Sequence, residues 1–385
     1  LRAELLGKTY RLKNEISSLA LSLNSEVTEK EVRSKWNTYT PKPTYRYTVA
    51  EDGSFNKRHY LGFYLYSVCG YAVGYREDGE FVEEVTGDIN LSVIKRSDLV
   101  DDYFRMLMFL SELKAVLRLS EKEKPSVIIL DGTLSSRFIT FFPKTDWFSN
   151  EDFEGKIAQI SGEFIPEIKD NLMKEDITSF SEQIKQKVSE RLEEILGEKG
   201  RRRDVLEAAF SKLAYFEYLL LLHRLFYGLD WNPVVIGVAK TSHLTEIFNR
   251  SMPDIRIFHQ FIKETGYSEP VYVDLEQKKW EFSEVFEYLE KDIAVELKDI
   301  SIKYFYGKYD RGRTISLIEV YENPQLTEDV TPERILDILN YYSVIGYPFL
   351  LKKADNEVRI TNKDMDLIEN LLDLKREIHG REGLK

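Results

Sequence analysis

The spacing of hydrophobic positions changes several times along the chain, and each change marks an element. "LRAELLGKTYRLKNEISSLALSLNS" repeats its apolar residues at helical spacing and predicts an N-terminal helical arm. From Thr44 the character shifts. "TYRYTVAEDGS", "YLGFYLYSVCGYAVGYRE" and "EFVEEVTGDINLSV" are rich in aromatic and β-branched residues and predict three antiparallel strands. "REDGE" supplies the hairpin between the second and third, and Asp52 is expected near the end of the first. A helix is predicted from roughly Leu99 to Leu119. It leads to "SVIILDG", a strand apolar on both faces and therefore central, with helices on both sides. The stretch from Asn150 to Gly200 is polar and helical with a shifting charge pattern, as in "EQIKQKVSERLEEILGEKG", and reads as an insertion or a mobile subdomain. A helix from Asp204 to Tyr227 then runs into the buried strand "PVVIGVAKT", ending at Lys240. "PVYVDLEQ", "ISIKYFYGKYD" and "RTISLIEVYEN" follow, and two helices flanking "YPFLLKKADNEVRI" close the chain.

Three antiparallel strands, helix, strand, helix, strand, helix is the order of a ribonuclease H-like mixed sheet. The expected fold class is α/β: three antiparallel strands and then parallel ones, flanked by helices and interrupted by a helical insertion. The expected organisation is a helical arm over 1–42, the first half of the core over 43–148, the insertion over 149–203, and the second half with the C-terminal helices over 204–385.

Composition narrows the classes. With 43% hydrophobic residues in 385, a large buried core is available. No apolar run is long enough to span a bilayer, and "YFEYLLLLHRLFYGL", broken by Glu217, His223 and Arg224, reads as a buried helix. The single cysteine, Cys69, excludes an internal disulfide framework and a cysteine-based zinc site, and fits a reducing cytoplasm. Abundant Lys and Glu beside scarce Gln and Cys resembles the balance of proteins from hot environments. A net charge of −12 argues against a broadly basic nucleic-acid surface, which leaves only local patches such as Arg201, Arg202 and Arg203 in "GEKGRRRD". No phosphate loop of the P-loop type is present.

The chemistry lies in the acids. "AEDGS" and "VIILDGTL" each deliver an aspartate followed by glycine, Asp52 and Asp131. Each pair alone is turn grammar. The fold order, however, sets the two strands side by side, where paired carboxylates repel unless a cation joins them. Hard divalent ions prefer oxygen ligands, and two bridged ions activate water on one side and stabilise a leaving oxygen on the other. Glu112, in "YFRMLMFLSELKAVL", either belongs to a narrow solvent face with Arg105 or reaches the strand ends as a third ligand. Lys240 at the end of "VVIGVAKTS" suits a substrate phosphate as a point charge.

"AEDGS", Glu112 ahead of "VIILDGTL", "IGVAKTS" and "GYPFLLKKADNEVRI", in this order over roughly residues 45 to 370, resemble the NurA nuclease family, partners of the hexameric HerA translocase in DNA-end processing. The resemblance implies a ribonuclease H-like core on which Asp52, Glu112 and Asp131 are catalytic metal ligands and Lys240 lies in the same site. It implies manganese or magnesium, two ions, as cofactor. It also implies a homodimer that docks on a HerA-type ATPase and resects single- and double-stranded DNA ends, as a 5'–3' exonuclease with single-strand endonuclease activity. The family's closing motif runs from Tyr-Pro through a short apolar stretch to Ala-His. Here Asp355 stands where that histidine is expected, so the implied metal set is Asp52, Glu112, Asp131 and Asp355. Two other readings compete: a non-catalytic DNA-end-binding or assembly subunit, and a phosphoryl-transfer enzyme acting on a small nucleotide. Partner and substrate in every reading lie away from the membrane.

Overall fold

The computed structural model describes residues 2–22, 27–139, 142–150, 152–174, 176–275, 287–312, 314–326 and 330–374. From the N-terminus come α1 (Ala3–Ser22), α2 (Glu29–Ser34) and a short strand, β1 (Trp36–Thr38). Three long strands follow, β2 (Thr48–Tyr60), β3 (Phe63–Tyr75) and β4 (Phe81–Ser92), then α3 (Val100–Glu123) and β5 (Val127–Asp131). A helical stretch holds α4 (Glu154–Glu163), α5 (Ile165–Asn171) and α6 (Glu182–Leu196), and leads into α7 (Arg203–Tyr227) and β6 (Val234–Ala239). Beyond it lie α8 (Asp254–Phe261), β7 (Gly266–Ser268), β8 (Val271–Tyr272), α9 (Lys291–Lys298), β9 (Ile302–Lys308) and β10 (Ser316–Tyr321). The last elements are α10 (Pro332–Tyr341), a small hairpin of β11 (Ser343–Val344) and β12 (Tyr347–Pro348), α11 (Phe349–Val358) and α12 (Asn362–Leu371). The ends of the quoted segments "ALSLNS" and "VDLEQ" fall partly outside the described residues.

One mixed sheet organises the chain, with strand order β1-β7-β9-β10-β6-β5-β2-β3-β4 and β8 paired to β9. Its centre is the predicted one. β2, β3 and β4 pair antiparallel, β5 runs parallel to β2, and β6 runs parallel to β5. The turn at "REDGE" has Gly79 at φ +89°, a conformation that costs glycine little. Alternation along the strands splits the core. Val49, Ile128 and Val235 pack under α3 and α7, while Ala50, Ile129, Ile236 and Val238 pack against α10 and α11.

Four expectations change. Asp52 is not near a strand end: β2 continues through Gly53, paired with Gly70, to Tyr60. The Asp-Gly turn signal loses there because the following residues find a full ladder on β3. Residues 1–42 are not helical throughout, since Trp36–Thr38 pairs with β7 at the sheet edge. The 149–203 stretch is no loosely attached unit, because Ile157, Ile160, Ile184, Val188 and Leu192 belong to the same core as α3 and α7. "YPFLLKKADNEVRI" is itself β12 and α11, between α10 and α12. As expected, "YFEYLLLLHRLFYGL" is largely buried, forming the last turns of α7 as far as Tyr227 with His223, Arg224 and Tyr227 half-buried, and among the described residues no helix is long and apolar enough to cross a membrane.

Candidate active site

Three parallel strands set the site. Thr48 to Glu51 of β2 pair in register with Val127 to Leu130 of β5, so Asp52 and Asp131 stand one step further on adjacent strands. Side-chain alternation puts both on the α10/α11 face, with Ala50 and Ile129. β5 stops at Asp131, and Gly132 (φ +86°) turns the chain away. Here, unlike at Asp52, the aspartate ends its strand as the sequence suggests.

Two further groups close over this pair. The Tyr347 hydroxyl donates to Asp131 Oδ1 at 2.5 Å. Lys240, exposed just beyond β6, holds its Nζ 4.1 Å from the centre of the Tyr347 ring. Lys240 therefore reaches Asp131's surroundings through Tyr347, an aromatic neighbour whose role is not legible in the Tyr-Pro pair of the sequence. The Asp52 carboxylate accepts a bond from its own neighbour, Gly53 N–H, at 2.7 Å. Burial first, then the Asp131 and Glu112 charges, push its pKa up to about 7, with Asp355 adding to the effect. Burial and then Asp131 raise the Tyr347 hydroxyl, which keeps it a donor.

The opposite face carries the backing. Glu112 is buried, not part of a solvent face. Arg105 is exposed on the same helix and meets Asp102 instead. α3 can bring Glu112 onto the sheet because a row of small residues receives it. A Cβ on Gly70 would lie 2.4 Å from the Glu112 backbone nitrogen, one on Gly53 would lie 2.1 Å from Glu112 Oε1, and Thr86 donates to the Ser111 carbonyl at 2.6 Å. Glu112 is then held by Arg137, whose guanidinium also binds Glu51 at 3.0 Å and the Asp131 carbonyl at 3.2 Å. That guanidinium lies 4.1 Å from the centre of the Phe109 ring. Burial favours a neutral Arg137, but Glu112 and Glu51 outweigh it and keep the group charged. Burial, followed by the Glu112 charge, raises Glu51, and burial raises Glu112 against the pull of Arg137. The loop carrying Arg137 is fixed by Glu319 of β10, which accepts from Ser135 N–H at 2.7 Å and from its hydroxyl at 2.8 Å. Tyr218 donates to the Arg137 carbonyl at 2.6 Å.

Asp355 lies on α11, within electrostatic range of Asp52 but paired with Arg359 at 3.2 Å. The three arginines before α7 are also engaged, Arg201 with Glu193, Arg202 with Asp204, and Arg203 with the Leu91 carbonyl. Among the described residues no three carboxylate, imidazole or thiol side chains converge into a finished ion site. Glu112 is turned to Arg137 and Asp355 to Arg359. Asp52 and Asp131 still suit a hard divalent cation, because burial and mutual repulsion leave a carboxylate pair short of positive charge. Magnesium and manganese sites of this kind need few protein ligands and retain water.

Residues 47–360, spanning β2 to β12, α3, Asp131, Lys240 and Asp355, match the NurA domain. The chain belongs to the NurA family. A probable DNA double-strand break repair nuclease NurA of Methanocaldococcus jannaschii is 27% identical over 399 residues, covering 99% of this chain and 94% of that protein. The DNA double-strand break repair nuclease NurA of Saccharolobus solfataricus is 25% identical, covering 97% and 94%. In three dimensions the NurA nuclease from Sulfolobus solfataricus superposes with a TM-score of 0.67 at 20% identity, over 97% of both chains. A NurA crystallised with dAMP and manganese superposes at 0.63 and 16% identity, over 97% of this chain and 98% of that one. The likeness covers the whole sheet, so the mixed α/β core is the NurA fold.

Proposed function

We propose that this chain is a manganese- or magnesium-dependent DNA nuclease of double-strand break repair. The observation that carries the reading is the pair Asp52 and Asp131, side by side on parallel strands with Asp52 pushed up to about 7. The NurA relatives named as repair nucleases, and the NurA structures holding manganese, support it. When bound, divalent ions supply Lewis acidity at the phosphate and lower the pKa of a water. The chain's own residues do the rest. Asp52 and Asp131 would anchor the ions, with Glu112 and Asp355 as the further ligands proposed for a two-ion site. Tyr347 fixes the Asp131 carboxylate by its hydrogen bond, and Lys240 presents a point charge to the phosphate. Arg137 orients Glu112 from behind. The finer reading is a homodimeric 5'–3' exonuclease with single-strand endonuclease activity, working in end resection in the cytoplasm with a hexameric HerA-type ATPase.

Asp355 paired with Arg359 favours a second reading, a DNA-end-binding subunit without catalysis. Asp131→Asn separates the two. It preserves side-chain size, so under the nuclease reading manganese binding by calorimetry and manganese-dependent cleavage both collapse while the fold persists. Wild-type protein that binds DNA ends but shows no cleavage suppressible by EDTA overturns the nuclease reading in favour of the second.

A further inference from the structure

The small hairpin that supplies Tyr347 ends in an exposed apolar tip. Val344 pairs with Tyr347, so Ile345 and Gly346 form the two-residue loop between β11 and β12. Both take positive φ, +57° and +87°, as a type I′ turn requires. Asparagine or aspartate before glycine is the unstrained choice for such a turn. Here a β-branched residue holds the first position, in a conformation that such side chains rarely adopt. Packing does not explain it, because Ile345 is 86% exposed and Val344 51%.

The surrounding chain enforces this conformation. Asp310, between β9 and β10, accepts from Gly346 N–H at 2.6 Å, from Gly312 N–H at 2.6 Å and from the Ser343 hydroxyl. Gly312 lies so close that a Cβ on it would fall 2.8 Å from the Gly346 nitrogen. At the base of the hairpin Phe349 N–H donates to the Tyr342 carbonyl at 2.8 Å. Backbone strain that neighbouring contacts enforce clusters at active sites and ligand clamps.

The tip also stands beside the candidate site. Two residues of chain carry Ile345 from Tyr347, at most about 7 Å or two base steps of a nucleic-acid strand. The Tyr347 hydroxyl in turn bonds Asp131. Cations accompany the tip in a chain of net charge −12. Exposed Lys240 lies against the Tyr347 ring, and exposed Arg311 stands between Asp310 and Gly312. Cations suit phosphates, and an apolar side chain suits the face of a base. Isoleucine and its like serve as wedges between stacked bases where proteins distort DNA.

We propose that Ile345, together with Val344, is a wedge that seats against the nucleobase next to the scissile phosphate and holds it apart from its neighbour. The chain thus engages DNA as an unstacked strand, an inference that rests on the nuclease reading of Asp52 and Asp131. Ile345 contacts the base and sets which phosphate reaches the two aspartates. Because the strained turn is rigid before DNA arrives, little ordering is left to oppose binding.

Single-stranded oligonucleotides with 2-aminopurine at successive positions from either end, mixed with the full chain in EDTA, test it. Wild type raises the fluorescence at one position, where the base leaves its stack, and Ile345→Asn abolishes that rise. Manganese-dependent cleavage by Ile345→Asn falls roughly tenfold, the lower end of what burying one aliphatic side chain is worth. Its melting temperature rises by about 1–3 °C, because asparagine relieves the turn and the exposed side chain gives up no packing. Ile345→Leu keeps an apolar tip and retains most of the cleavage. An unstacking signal equal in wild type and Ile345→Asn overturns the wedge, as does a melting temperature that falls together with cleavage. A wild type that unstacks the base through Ile345 but does not cleave keeps the wedge and overturns the nuclease reading. A wild type that leaves every base stacked overturns the wedge alone if it cleaves, and both if it does not.

Discussion

Gly53 and Glu112 fit together so closely that a single added carbon on the glycine would fall 2.1 Å from the Glu112 carboxylate oxygen. The glycine after Asp52 therefore serves the acid on α3, and its Cα is the floor on which Glu112 rests. Gly53→Ala should cost about 1–3 kcal/mol in urea unfolding, the usual range for overpacking a tight site. Glu112 cannot yield freely because Arg137 and Gly70 fix it from two sides. An alanine variant as stable as wild type would show that Glu112 has another place to go.

Arg137 neutralises two buried acids. Arg137→Met leaves Glu51 and Glu112 without their cation, and removing one partner of a buried ion pair costs roughly 3–5 kcal/mol. Both acids already have raised pKa values in the folded protein. Without the guanidinium those values rise further, so the native state holds protons that the unfolded chain has released, and stability falls as pH rises. The loss in melting temperature should accordingly be larger at pH 8 than at pH 5.5. An equal loss at both would mean that the acids are not ionised in the wild type.

Tyr347→Phe removes the bond to Asp131 Oδ1 and keeps the ring beneath Lys240. Loss of a group that orients a metal ligand typically lowers metal affinity by about 10–100-fold. Manganese titration should show that decrease, and raising manganese should restore most of the cleavage. If affinity is unchanged, the hydroxyl acts elsewhere.

Glu207, buried on α7, accepts from Val93 N–H at 2.8 Å. Burial pushes its pKa from an ordinary 4.5 up to about 7, against the bonds from Ser92 and Val93. Between those values the unfolded chain is ionised and the native one is not, so the wild type loses on the order of 3 kcal/mol as pH rises through the window. Glu207→Gln does not titrate and still accepts the backbone bond. Its melting temperature relative to wild type should climb from pH 4.5 to pH 8. A flat difference across that range would refute the assignment.

Much of this arrangement is legible in the chain before any coordinates. The central strands announce themselves by aromatic and β-branched runs, and Asp131 is visible because an apolar strand ends on it. Asp52 was visible for the wrong reason, since its Asp-Gly pair lies inside a ladder. Glu51 and Arg137 were not legible, because whether a charge is buried depends on what packs over it, and both look like surface residues in a one-dimensional reading. Glu112 stayed ambiguous because α3 is buried around most of its circumference, which erases the one-sided pattern that would have aimed it. The insertion's attachment could have been seen in Ile184, Val188 and Leu192, spaced four apart.

β2 runs on from Gly53 to Tyr60 after its neighbour β5 has ended at Asp131. The sheet therefore has a step, with about 25 Å of strand standing above a short ledge. Asp52 and Asp131 lie at the foot of that step, with the long β2, β3 and β4 on one side and the shorter β6, followed by Lys240, on the other. A site on a flat sheet would look the same to a chain threading from left or from right. This one does not, and a linear polymer laid along the ledge must meet its two directions as different approaches.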